Sequence, residues 1–104
     1  MIFTETKLKG VFLVEPELMK DERGFFARSF CENEFKEHGL KSRVLQCNLS
    51  FNRAKGTLRG MHHQMSPFAE AKLVSCTRRV VYGEIVDLRP DSSTYCQLFA
   101  AELT

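Results

Sequence analysis

The chain is short of several things, and each shortage removes a class of function. Net charge is low: fifteen Lys and Arg against thirteen Asp and Glu leave a formal +2 over 104 residues. That bias is too small to argue for nucleic acid or an acidic membrane surface as a partner. Cys31, Cys47, Cys76 and Cys96 are scattered without a CxxC pair, so neither a zinc ribbon nor a thioredoxin-type redox site is indicated. Each lies in or beside an apolar segment and reads as a small buried thiol. No apolar run approaches the roughly 20 residues of a membrane helix. The opening MIFTETKLKG lacks the basic start, long apolar run and small-residue cleavage site of a signal peptide, so a cytoplasmic location is expected. With no internal repeat, linker or low-complexity stretch, residues 1–104 are expected to form one small domain.

What is present is 43% hydrophobic and 27% charged, an ordinary globular balance. Short apolar or alternating runs follow one another between turn signals. Strands are expected at 11–14 (VFLV), 24–30 (GFFARSF), 43–51 (RVLQCNLSF), 57–64, 71–77 (AKLVSCT), 80–88 (VVYGEIVDL) and 94–103. MKDERG, NRAKG and RPDSS read as turns, and Gly83 as a bulge or close approach inside its strand. In 43–51 a polar set (Val44, Gln46, Asn48, Ser50) alternates with an apolar one, as on a strand lining a wet pocket. One helix is expected near 32–38, with Glu32–Lys36 and Glu34–His38 pairs and Gly39 at its C-terminal stop. Seven short strands and one small helix predict an all-β antiparallel jelly roll or sandwich.

The densest chemistry lies in Thr57 to Val74, TLRGMHHQMSPFAEAKLV, which holds Arg59, Gly60, His62, His63, Gln64, Glu70 and Lys72. A histidine pair followed by a carboxylate suggests a metal first. Strand geometry opposes it, because adjacent residues point to opposite faces and His62 and His63 cannot both enter one site. If 57–64 pairs with 71–77 through the Ser66-Pro67 turn, Lys72 comes near His62, with Gln46 and Asn48 at hand. A histidine moves protons near neutral pH, and a cation beside it holds developing oxyanion charge. That is equipment for removing a proton next to a carbonyl. Arg59 and His62 differ in parity, so a shared pocket requires a bulge at Gly60 or a bent arginine.

Taken together, RGFFARSF, LQCNLS, LRGMHHQ, AEAKLV and VDLRPDSSTY, in this order, resemble dTDP-4-dehydrorhamnose 3,5-epimerase and related nucleotide-sugar epimerases, from about Gly10 to Thr104. The resemblance implies a cupin-type jelly roll that is metal-free and needs no cofactor, working as a homodimer on a dTDP-4-keto-6-deoxy sugar in rhamnose-type deoxysugar biosynthesis. It implies that His62 is the general base and that Lys72 stabilises the enolate. Arg59, Gln46 and Asn48 correspond to substrate-pocket residues, and Arg23 with Phe26 to a stretch that contacts the nucleotide diphosphate.

The sequence also departs from the family pattern. The family's acid tyrosine and the aspartate that orients its histidine lie beyond the position of Thr104, as do further strands, so the jelly roll is expected to be incomplete and to associate with another chain. Arg79 stands where the family usually has a turn glycine, and Gly83 where it usually has an aspartate. His63 replaces an aromatic and reads as a bystander. Besides the epimerase, two other functions fit the residues: a non-catalytic sugar-nucleotide binding or assembly module, and a metal-dependent cupin enzyme.

Overall fold

The computed structural model describes residues 1–104. It is an antiparallel β structure with one short helix, in the order β1 (Ile2–Glu5), β2 (Phe12–Glu15), β3 (Met19–Asp21), β4 (Gly24–Phe26), α1 (Glu32–Glu37), β5 (Val81–Val86) and β6 (Leu98–Leu103). The strands form three two-stranded antiparallel hairpins, β1–β2, β3–β4 and β5–β6. By contact the chain divides into two compact units, Met1–Ser42 with Val74–Thr104, and Arg43–Leu73. Every strand and the helix belong to the first.

In the first unit the β1–β2 pairing sets Phe3 opposite Val14 and Glu5 opposite Phe12. Phe3 and Phe12 are therefore diagonal neighbours on one face, with ring centroids 6.4 Å apart. Phe35 of α1 meets Phe3 edge-on at 5.3 Å, His38 stacks on Phe3 at 4.0 Å, and Phe30 lies 4.9 Å from Phe35. This aromatic group, with the fully buried Leu8 and the buried Phe35, is the core. Leu8 is fixed by the link between the two strands. Its N–H donates to Thr6 Oγ1 at 3.2 Å, and Val11 N–H donates to its carbonyl at 3.0 Å.

The helix ends as its sequence predicts. Gly39 has φ +69°, its N–H donates to Lys36 C=O, and Leu40 N–H donates to Phe35 C=O, which is the paired-bond helix stop that a left-handed glycine permits. Glu32 pairs with Lys36 as expected. Glu34 does not pair with His38, whose Nδ1 bonds the Glu34 carbonyl instead. The Glu34 carboxylate takes the Met1 ammonium at 2.8 Å and the Arg28 guanidinium. Those two cations, the ammonium foremost, hold the carboxyl down at about 2.

Two strands were not legible as strands. MKDERG forms β3 and the tip of a hairpin in which Asp21 pairs with Gly24. Asp21 Oδ1 accepts the Arg23 N–H at 2.8 Å, so the aspartate makes the turn and backbone pairing, rather than a hydrophobic pattern, makes the strand. Strand β1 lies in the opening IFTE. Gly83 is no bulge: it pairs in regular register with Ala101. The irregularity sits at the other end of that hairpin, where Asp87 N–H donates to Gln97 C=O and Cys96 N–H to Asp87 C=O. Two residues thus oppose one, with Cys96 at φ 61° in the position glycine normally takes. None of the four cysteines is buried, because the apolar segments around them are not covered by core within this chain.

The loop between β5 and β6 is built on Asp87, a buried carboxylate only 5% exposed. It accepts from Arg89 N–H (3.0 Å), Nε (2.9 Å) and Nη2 (2.9 Å), from Ser92 Oγ (2.6 Å) and from Thr94 Oγ1 (2.7 Å). The RPDSS turn signal is therefore a carboxylate with its donors wrapped around it. Arg89, then Ser92, stabilise the charged form and drive the Asp87 carboxyl far below the carboxylate range.

Arg79 does sit at positive φ, +68°, as the glycine of the family pattern implied. Substituting Arg79→Gly removes the left-handed penalty and is expected to raise stability by about 0.5–1 kcal/mol, read as a higher urea midpoint at unchanged slope. Asp87 and Glu34 both have folded-state values below those of the unfolded chain, so the stability they lend is complete above about pH 5 and is lost as pH falls through the acid range. Thermal melts from pH 7 to 2 should show a steep decline below about pH 4.5, and Asp87→Asn should lower the neutral-pH melting temperature and flatten that decline.

Candidate active site

The Arg43–Leu73 unit carries most of the predicted chemistry and no strand. The expected strands 43–51, 57–64 and 71–77 have no ladder, and the pairing of 57–64 with 71–77 does not form. The alternating pattern of 43–51 marks a segment able to join a sheet, but a strand exists only with a partner to receive its N–H and C=O groups. Here both sets of side chains are exposed, Leu45 at 81% and Leu49 at 94% among them. Gln46 and Asn48 are exposed with them.

The unit is shaped by turns. Thr57 Oγ1 donates to Ala54 C=O at 2.8 Å, and Gly56 has φ +78°, which confirms the NRAKG turn. Arg59 bends back onto it, its Nε donating to Asn52 Oδ1 at 2.5 Å and Nη2 to Phe51 C=O at 3.3 Å. Gly60 then takes φ +121°, a region that essentially only glycine occupies, and the Gly60–Met61 peptide is cis. With no ladder through 57–64 the bulge expected at Gly60 does not form; the arginine does bend, onto Asn52 and Phe51. His62 follows at once, its Nδ1 3.9 Å from where a Gly60 Cβ would stand, and it is exposed, as is His63.

A second turn, closed by Phe68 N–H to Met65 C=O at 2.8 Å, carries the chain around the cis Ser66–Pro67 bond. Beyond it Lys72 does not meet His62. Its Nζ pairs with Glu70 Oε1 at 2.9 Å. The Gln64 amide lies against Glu70 and the Phe68 carbonyl, and with its nitrogen assigned to the side that faces these acceptors it stands 3.1 and 3.0 Å from the two Glu70 oxygens and 3.2 Å from Phe68 C=O. In the sequence Glu70 reads only as the carboxylate of a metal set, and Gln64 has no assigned role. The available signal was an acid two places before the lysine, with an amide on the near side of the Ser66-Pro67 turn.

Arg23 and Phe26 lie in the other unit, on the β3–β4 hairpin. The Arg23 guanidinium grips Asp21 Oδ2 through Nε (3.1 Å) and Nη2 (2.6 Å), and this pair lowers the Asp21 carboxyl. The arginine side chain is 85% exposed. Phe26 lines a cleft of about 280 Å³ with Met1, Glu17, Met19 and Arg28. No group of three or more His, Cys, Asp or Glu side chains is placed to hold a metal, and no helix is long and apolar enough to cross a membrane.

Antiparallel hairpins with one short helix are the elements of an incomplete cupin-type jelly roll. The chain belongs to the dTDP-4-dehydrorhamnose 3,5-epimerase family, whose model matches residues 5–104. It is 38% identical over 104 residues to the dTDP-4-dehydrorhamnose 3,5-epimerase of Sinorhizobium fredii, covering all of this chain and 53% of that protein. It superposes on the crystal structure of the same enzyme from Elizabethkingia anophelis with a TM-score of 0.94 at 39% identity, covering 100% of this chain and 57% of the other. A third relative, from Bacillus anthracis and solved with TDP and PPi bound, gives 0.93 at 36% identity, with 99% and 59% covered. The chain thus spans about half the length of the curated relatives it matches.

Because only glycine is at ease at φ +121°, Gly60→Ala should displace the backbone on which His62 stands. Amide resonances of residues 59 to 63 should move in a two-dimensional NMR spectrum while those of β5 and β6 stay in place.

Proposed function

We propose that this chain carries the base side of a 3,5-epimerase pocket and acts in the cytoplasm on a dTDP-4-keto-6-deoxy sugar, as a single cupin domain working at least as a homodimer. The observation that carries the reading is the segment 57–72. The family model covers residues 5–104 and the backbone superposes on a relative over the whole chain, which supports giving Arg59, His62 and Lys72 the roles that the resemblance implies.

In this reading His62, as a neutral imidazole, removes the proton from a carbon flanking the C4 ketone. The C–H electron pair moves into the ring and the ketone oxygen becomes an enolate oxyanion, which the Lys72 ammonium stabilises. Return of a proton to the opposite face of that carbon completes the inversion. Redox state does not change and no group is transferred, so the step balances with a proton alone. Arg59, Gln46 and Asn48 hold the sugar nucleotide, and Arg23 with Phe26 its nucleotide diphosphate. Exposed Leu45, Leu49, Phe51 and Leu58 favour association with a second copy, since apolar faces of this kind mark interaction surfaces.

Incubation with the 4-keto sugar nucleotide in deuterated water, followed by NMR of the ring protons, tests the chemistry. Exchange at the carbons beside the ketone is expected, with His62→Ala slower by roughly 10²–10⁴-fold and Lys72→Ala by roughly 10²–10³-fold. Binding of the sugar nucleotide by calorimetry with no exchange would instead identify a binding module. Light scattering showing a monomer at micromolar concentration would reject the dimer.

A further inference from the structure

We propose that Glu70, braced by Gln64, is the positioning residue for the Lys72 ammonium. The inference rests on the reading of Lys72 as the group that meets the enolate oxyanion, and it adds the two residues that hold it there.

A lysine is a poor oxyanion donor unless something limits its four-carbon stem, because its charge is a point and its donors rotate freely. Glu70 supplies that limit, with Oε1 in an ion pair with Nζ at 2.9 Å. An ammonium has three donors, and this single contact leaves donors for an incoming oxygen. The carboxylate is itself braced, because the Gln64 amide reaches both of its oxygens and the Phe68 carbonyl. The turn closed between Met65 and Phe68 brings residue 64 back toward residue 70. Gln64, Glu70 and Lys72 therefore form one connected line across the turn.

The same contacts argue against a role in stability. Lys72 and Glu70 side chains are 54% and 42% exposed, and ion pairs in that setting contribute little to folding. A pair that adds little stability but has the Gln64 amide set against its carboxylate is arranged to fix a position.

The test uses the whole 104-residue chain with Glu70→Gln, Gln64→Ala, Lys72→Ala and the double variant Glu70→Gln/Lys72→Ala. Glu70→Gln should slow deuterium exchange on the 4-keto sugar nucleotide by roughly tenfold through misplacement of Lys72, leave dTDP binding by calorimetry within twofold, and cause no further loss in the Lys72→Ala background. Gln64→Ala should fall between parent and Glu70→Gln. Parent-like exchange in Glu70→Gln, or losses that multiply with Lys72→Ala, would overturn the proposal. A second readout is independent of turnover: in protein labelled at lysine ε-carbons, a held Lys72 gives two inequivalent Hε signals that merge in Glu70→Gln. If the parent chain shows no exchange, the epimerase reading fails. Glu70 is then judged on this signal alone, and merged Hε signals in the parent reject it as the residue that holds Lys72.

Discussion

Everything in this chain depends on where the backbone amides find partners. Three pairs of strands are adjacent enough in sequence, or joined by a turn of strong enough chemistry, to satisfy one another: β1 with β2, β3 with β4, and β5 with β6. Within 43–73 the comparable backbone bond is the turn contact from Phe68 to Met65. The residues there are no poorer strand formers than those of β5, and RVLQCNLSF alternates more cleanly than MKD. Pairing, and not propensity, separates the two, as expected where β-preference reflects a fit to neighbours. The candidate site consequently sits on a backbone shaped by two turns and a left-handed glycine rather than by a sheet.

Where pairing is local, single polar groups finish the job. Asp87 gathers five donors from Arg89, Ser92 and Thr94 while its own backbone closes the bulge with Cys96 and Gln97. The bulge needs a left-handed residue and gets Cys96, and the approach to β5 needs another and gets Arg79. Both are conformations that an L side chain enters at a cost. A carboxylate bonded to this extent supplies a local compensation, so the strained turn and the satisfied buried charge belong to one structural bargain.

Much of this was legible in residues whose physics is local. Gly39 ends the helix because only two residues of backbone geometry are involved, and RPDSS and NRAKG turn because Asp, Pro, Ser and Gly act on their own neighbours. The family motifs mark the segment that holds Arg59, His62 and Lys72, and the family itself matches over residues 5–104. What the sequence did not reveal depends on partners. The β3 strand hides behind a charged composition and exists through Asp21 and Gly24. The strands of 43–77 are visible as patterns without the ladders that would realise them. Burial of the cysteines failed for the same reason, since an apolar segment buries its thiol only when something covers it. A bulge or close approach was expected at Gly83 on residue type alone, whereas the hydrogen-bond register puts a bulge at Cys96.

The chain holds two acid–cation pairs of opposite character, and the contrast separates structure from chemistry. Asp87 and Arg89 are joined at three points, and the carboxylate is buried. Such a carboxylate is fixed by its donors and serves the loop. Glu70 and Lys72 meet at one point, are half exposed, and leave ammonium donors unengaged. An oxyanion needs a cation held in place but not used up, because stabilisation has to appear only as charge develops. A surface lysine without a neighbour would have the free donors but not the position. In the role proposed for it Lys72 has both, with the amide of Gln64 on the far side of Glu70.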